Sequence, residues 1–156
     1  MKKNNFKLIL ISLLLFSMLF VLVGCIEPLK DEKNITLYLK NGDNVQCVTL
    51  KTTAENLDDF IIENNKKLNV VFAEGQYGKY ITDIADWKVD STKEFVSILL
   101  SFQELEGDLR VFTDPTSAYD YEYIAPNGAE CHSSNYGVSQ IPLVDGATYV
   151  LVKLPF

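Results

Sequence analysis

Ile35-Thr36-Leu37-Tyr38-Leu39-Lys40-Asn41-Gly42-Asp43-Asn44-Val45-Gln46-Cys47-Val48-Thr49-Leu50 decides how the folded part of this chain begins. Ile35, Leu37 and Leu39 alternate with Thr36 and Tyr38, the period of a strand with one buried face. Asn41-Gly42 is the strongest short hairpin signal, since both residue types tolerate positive φ. Val45 to Leu50 reads as the returning strand, rich in β-branched residues. The folded region therefore opens with a β-hairpin.

Downstream, Thr52-Thr53-Ala54-Glu55 matches a capping box, threonine followed three residues later by glutamate. Behind it Leu57, Phe60, Ile61, Asn64 and Leu68 recur at helical spacing, with Asp58, Asp59, Glu63 and Lys66 between them. This predicts one amphipathic helix of about three turns that turns Leu57, Phe60 and Ile61 to a sheet. Its acids come early and Lys66-Lys67 late, as the helix dipole favours.

Strands are expected at 68–72, ending by Gly75, at Tyr80–Ile84, and at Phe95–Phe102, where Val96, Ile98, Leu100 and Phe102 share a face. Glu106-Gly107-Asp108 reads as a turn into Leu109–Phe112. Tyr119–Ile124 alternates tyrosines with acids, Asn127-Gly128 supplies a second turn, and Thr148–Val152 closes the chain as a strand. A hairpin, a helix and then a series of strands make an α+β domain, the helix packed on a mixed or antiparallel sheet.

Upstream of the hairpin the composition changes. Residues 1–7 carry three lysines and no acid, and Leu8 to Val23 contain no charge, the layout of a secretory signal peptide. Sixteen residues fall short of the roughly 20 that a spanning helix needs. Leu22-Val23-Gly24-Cys25 resembles the lipobox of bacterial lipoproteins, in which the cysteine thiol receives a diacylglyceryl group and the peptide is cut just before it. The resemblance implies a signal peptide over 1–24, a lipidated Cys25, a tether over 25–34 and one domain over 35–156. The implied place is the extracytoplasmic face of the cell membrane, with the membrane itself as a partner through the lipid on Cys25. The nine residues Ile26–Asn34 reach at most about 30 Å when extended, which keeps the domain near the bilayer.

The whole chain has 156 residues, with 14 basic and 21 acidic side chains, net −7. Removing 1–24 takes away three lysines and no acid, which leaves 11 basic and 21 acidic groups, net −10. Such a surface is repelled by a phosphate backbone, so no nucleic-acid partner is expected.

The order of elements also resembles a bacterial family of uncharacterised secreted and lipoprotein domains. That family is similar to the carboxy-terminal β domain of the cobalamin carriers transcobalamin and intrinsic factor. The residues that carry the resemblance are Ile35–Leu39 with Asn41-Gly42, the helix around Leu57–Ile62, and Gly75-Gln76-Tyr77-Gly78-Lys79-Tyr80-Ile81-Thr82-Asp83-Ile84. Tyr121-x-Tyr123 with Asn127-Gly128, Tyr136-Gly137-Val138-Ser139 and Leu143–Tyr149 complete it. The resemblance implies a β-grasp-like fold and offers a corrinoid as one candidate ligand. Two departures stand out: the family usually carries a tryptophan near the position of Tyr121, whereas the only one here is Trp87, and the stretch from Trp87 to Ser117 is longer than usual.

Catalytic signals are weak. The single histidine, His132, reads as an exposed loop residue; it follows Cys131, but adjacency along the chain does not make a nucleophile–base pair. No Gly-x-Ser-x-Gly, His-Glu-x-x-His or phosphate-cradling loop occurs. No enzymatic activity and no cofactor are expected. Asp83, Asp86 and Asp90 are spaced like oxygen ligands yet lack the glycine and terminal glutamate of an EF-hand loop, and a solvated turn explains them without a metal. Cys47 and Cys131 remain after lipidation, either as a candidate disulfide or as two free, buried thiols.

The aromatic residues near glycines and turns, Tyr77, Tyr80, Trp87 and Tyr136, are the candidate ligand-binding residues, with plain core packing as the competing role. The expected function is a lipid-anchored extracytoplasmic binding module for a small ligand or an envelope partner. The alternative is a structural or adhesion-type protein-interaction domain without a small-molecule ligand.

Overall fold

The computed structural model describes residues 31–76, 78–102, 121–134 and 136–156. The signal segment with Cys25, Tyr77, and the predicted turn and strand over 106–112 lie outside them.

The elements run β1 (Lys33–Asn41), β2 (Asn44–Thr52), α1 (Leu57–Glu63), α2 (Asn65–Leu68), β3 (Val70–Gly75), β4 (Gly78–Ile84), β5 (Trp87–Lys88), β6 (Glu94–Leu100), β7 (Glu122–Ile124), β8 (Glu130–Ser133) and β9 (Thr148–Pro155). Six strands form one sheet in the order β2-β1-β9-β6-β8-β7, and β3-β4-β5 form a second. Within the large sheet β1 and β9 run parallel, and every other neighbouring pair runs antiparallel. The α+β class with a mixed sheet is thus observed.

The opening hairpin closes through Asn41 opposite Asn44, so its two-residue turn is Gly42-Asp43, one position later than the Asn-Gly signal suggests. Gly42 sits at φ 57, where a side chain is strained and glycine is not.

The helix differs from its expectation in two ways. Its N-cap is Asn56, whose Oδ1 accepts from the Asp59 N–H at 3.0 Å, and not a threonine of the capping box. The chain is held extended through Asn56 because Asn56 bridges Pro142, the Leu57 N–H donates to Ile141 O, and the Leu143 N–H donates to Glu55 O. Thr52 is instead the last residue of β2; its hydroxyl accepts from the Ala54 N–H and donates to the Glu63 carboxylate. The helix also divides at Asn64 (φ −104, ψ 10) into α1 and the single turn α2. The Asn64 side chain donates to Phe60 O at 2.9 Å and competes there with the regular ladder.

Period 2 in the strands sorts the core into two sides. Ile35, Leu37 and Leu39 of β1, Ile98 and Leu100 of β6, and Tyr149 and Leu151 of β9 face α1, where Leu57, Phe60 and Ile61 are fully buried. Val70 of β3 with Ile81 and Ile84 of β4 close the same side, so helix and small sheet together form the covering layer. On the other side Tyr38, Leu99, Val150 and Val152 meet Cys131 and Ala125. The sheet curls to cover that side: the Lys40 ammonium of β1 lies 5.2 Å from the centroid of Tyr123 on β7, and Asn127 Nδ2 donates to Thr148 Oγ1 at 2.9 Å.

His132 and Cys131 belong to β8 and not to a loop. His132 lies opposite Leu100 of β6, and its side chain is only 14% exposed. Cys131 is buried and Cys47 exposed; both thiols are free, and β1, β9 and β6 intervene between their strands in the sheet. The candidate disulfide is not formed. A bridge needs Cα atoms within about 7 Å, and these two cysteines are not on neighbouring strands.

Candidate functional site

Two strand edges create the main cleft. β5 pairs with β4 only at Asp83 and Ile84, and β8 pairs with β6 only at Leu99 and Leu100. The stretch Tyr80–Thr82 of β4 therefore faces Phe95–Ser97 of β6 across a gap that no strand among the described residues fills. Backbone alternation sets what looks into that gap. Ile98 O accepts from the Ser134 N–H, so the main-chain groups of Val96, two residues earlier, turn to the same side. On β4 a bulge leaves Thr82 unpaired with β3, and Thr82 O turns to the side of the gap, where it accepts from the Val89 N–H.

The cleft has a volume of about 430 Å³, and a hollow of about 190 Å³ continues it along the same two strands toward Tyr136 and Val138. Rings dominate its wall. Tyr80 is 50% exposed, and Phe95 stacks on Phe156 with ring centroids 5.2 Å apart and planes at 29°. The Phe156 N–H donates to Lys93 O, which fixes the stacked pair at the rim. Polar groups gather at one end: Asp83 of β4 lies directly opposite Lys88 of β5, and Glu94 joins Lys153 at 3.2 Å.

Two further contacts position the walls. The Lys79 ammonium donates to Asp58 Oδ2 at 3.1 Å, which ties β4 to the first turn of α1. The Asp58 carboxylate beside it raises the Lys79 pKa. The turn before β6 is held by Asp90, whose Oδ1 accepts from the Thr92 hydroxyl and N–H at 2.6 and 3.1 Å and whose pKa is lowered by those bonds. Asp90 serves its own turn, and among the described residues no three His, Cys, Asp or Glu side chains converge as a metal site would require.

Of the candidate ligand-binding residues, Tyr80 and Tyr136 come to this cleft and its extension. Trp87 does not. It packs half-buried against the helix-side core and lines a separate shallow hollow with Val71 and Asp86. Tyr77 lies outside the described residues. Phe95 and Phe156 line the cleft too, although no glycine lies near either in sequence. A signal for Phe95 existed: Val96, Ile98 and Leu100 point to the core, so its side chain must leave the opposite face.

The Cys131–His132 neighbourhood has a different character. Adjacent residues of a strand point to opposite faces, so the two side chains diverge. Burial pushes the Cys131 thiol up to about 11, which keeps it protonated and unreactive near neutral pH. The His132 Nδ1 lies 3.5 Å from Glu122 Oε1.

No family model matches the chain, and no curated protein matches it. Several solved structures share its fold, two of them as follows. One is a protein from Ruminococcus gnavus ATCC 29149 described as a candidate metal-binding protein, with a TM-score of 0.54 and 19% identity, over 80% of this chain and 98% of that one. The other is haptocorrin in complex with Cbi, with a TM-score of 0.55 and 8% identity, over 86% of this chain and 28% of that one. At such identities the likeness is one of fold, and it agrees with the fold that the resemblance to cobalamin carriers implies.

Proposed function

We propose that this chain is a lipid-anchored binding module on the extracytoplasmic face of the cell membrane, and that its domain holds a small ligand with a flat apolar face in the cleft between β4 and β6. The observation that carries the proposal is the cleft itself: about 430 Å³, walled by Tyr80 and the stacked Phe95–Phe156 pair, with Asp83, Lys88 and Glu94 at one end. Concave, ring-lined volumes with a few convergent polar groups are where proteins take small molecules. A corrinoid is one candidate, supported by the resemblance to cobalamin carriers and by the shared fold with haptocorrin in complex with Cbi.

Binding without chemistry is part of the same reading. It is supported by the protonated, buried Cys131 and by its divergence from His132. Anchoring is supported by the basic start, the uncharged run and the lipobox-like Leu22-Val23-Gly24-Cys25. A protein-interaction role without a small ligand is the second reading, favoured by the long open edge of β2.

A thermal-shift screen of the detergent-solubilised chain against corrinoids, nucleosides and sugars tests the proposal. A ligand present at about 100 times its Kd adds roughly 2.7 kcal/mol of stability, a readily measured rise in Tm. Tyr80→Ala is expected to abolish that rise and leave the Tm of the free protein unchanged, since Tyr80 is half-exposed. A screen with no responding class, or a response that survives Tyr80→Ala, removes the cleft as the ligand site.

A further inference from the structure

Among the described residues no strand pairs with the outer edge of β2, and we propose that this edge pairs with β2 of a second copy of this chain, antiparallel about a two-fold axis at Val48. The surface is separate from the cleft, since β1 and β9 stand between β2 and β6. The proposal does not depend on what the cleft binds.

The chemistry of the edge follows from the hairpin. All nine residues of β2 pair with β1 in one unbroken register from Lys33–Thr52 to Asn41–Asn44. A two-residue turn makes the closing Asn41–Asn44 pair hydrogen-bonded, and hydrogen-bonded and open pairs then alternate. The open pairs are those of Val45, Cys47, Thr49 and Lys51, whose N–H and C=O groups point away from β1. The opposite strand agrees: Thr36, across from Thr49, sends its N–H to Ala147 O on the far side of β1. Four alternate residues thus offer eight main-chain groups that water satisfies in the monomer and that a second strand can take up.

Among the described residues the two edges of the sheet differ. β7 has three residues and begins with Glu122, and short, charged edges resist pairing. β2 has nine residues, no proline and no bulge, and its one charge, Lys51, is already engaged by Glu32 at 2.7 Å. Val45 is 37% exposed and the stretch Asn44–Cys47 is open to solvent.

Charge and pattern select a second copy as the occupant. The chain carries net −7, so two copies repel over most of their surfaces, yet β2 contains no acid. Pairing about Val48 sets Cys47 opposite Thr49 of the second copy, Val45 opposite Lys51 and Gln46 opposite Leu50. No like charges meet, and every residue of the strand finds a partner. On the helix side, Val48 and Leu50 sit half-buried at the rim of the main core. In the pair, Val48 faces Val48 of the second copy with a Leu50 diagonal on either side, so the apolar strip runs across the axis. The interface is isologous and closes as a dimer.

The full chain, extracted from membranes in mild detergent, is measured by native mass spectrometry and light scattering over a range of concentrations. The expected result is a species of twice the chain mass. Val45→Lys combined with Thr49→Lys places one lysine against Lys51 of the second copy, and is expected to lose the dimer while the monomer stays folded, because both side chains are exposed. The register has its own test. Thr49→Cys sets the new thiol opposite Cys47 of the second copy, at about 5.5 Å between Cα atoms for a hydrogen-bonded pair, within disulfide reach. Mild oxidation of Thr49→Cys should give a reducible covalent dimer, whereas Val45→Cys should not. A wild-type chain that stays monomeric at every concentration, a dimer that survives the two lysines, or equal cross-linking by Val45→Cys overturns the proposal.

Discussion

Tyr149 shows how one side chain can join layers of the fold. It is fully buried on β9; its hydroxyl donates to Pro142 O and accepts from the Val144 N–H, each at 2.9 Å, while Phe102 meets its ring edge-on at 5.8 Å. The ring packs in the core, and the oxygen holds the loop that in turn pairs with Asn56 ahead of α1. Tyr149→Phe keeps the ring and strands both main-chain groups, so a loss of about 1–3 kcal/mol is expected in denaturant unfolding. Phe60→Ala acts by another mechanism. Phe60 is fully buried between α1 and the sheet, and its truncation leaves a cavity that costs about 3–5 kcal/mol. A Phe60→Ala protein that unfolds at the parent's denaturant midpoint would contradict the assignment of α1 to the core. Phe60 was legible from sequence because helical spacing singles it out. The role of Tyr149 was not, because its two partners are set by loop geometry that no local pattern encodes.

Among elements, those whose burial follows from their own period were legible: the opening hairpin, the apolar face of α1, and the alternation of β6 and β9. Those whose order comes from a distant partner were not. β8 reads Glu130-Cys131-His132-Ser133, with too few apolar residues to announce a strand; its place is set by pairing with Leu99 and Leu100 of β6, far away in sequence. The cap at Asn56 likewise depends on the remote segment Ile141–Leu143. The cleft was legible only in part, through Tyr80 and Tyr136, because its existence depends on where β5 and β8 stop pairing. The β4–β5 connection provides a test at this scale. Ala85 occupies the two-residue turn between Ile84 and Trp87 at φ 52, a conformation that costs an ordinary residue about 1–2 kcal/mol. Glycine removes that strain at the expense of some unfolded-chain entropy, so Ala85→Gly is expected to stabilise the protein by about 0.5–1 kcal/mol. A lower Tm for that variant would show that the turn relaxes when alanine occupies it.

At the scale of the whole molecule, proton binding sets the pH range in which the fold persists. On the acid side, Asp145 accepts from the Asn34 N–H and Nδ2 at 2.7 and 3.2 Å, and Asp90 holds its own turn; these bonds lower both carboxyl pKa values below the ordinary 3.8. A group whose folded pKa is depressed adds stability above its unfolded value, and that part is lost as pH falls through the folded one. On the alkaline side the sign reverses. Burial raises Tyr38, Tyr123 and Tyr149 above the ordinary 10.0, and Cys131 from 9.0 to about 11. The folded state keeps protons that the unfolded chain releases, so stability is complete below about pH 9 and declines as pH rises through the folded values. Cys131 is the first of these groups to act, because its unfolded pKa is the lowest. Thermal melts taken from about pH 2 to 11 should therefore show an acid limb, a plateau ending near pH 9, and a falling limb beyond it. Cys131→Ala lowers the whole curve by the small cavity it leaves, but the removed thiol no longer titrates. The limb between about pH 9 and 11 should become shallower than in the parent while the acid limb keeps its slope. Parallel curves for parent and variant across that interval would mean that the thiol is open to solvent, and that the curled face of the sheet is not closed over Cys131.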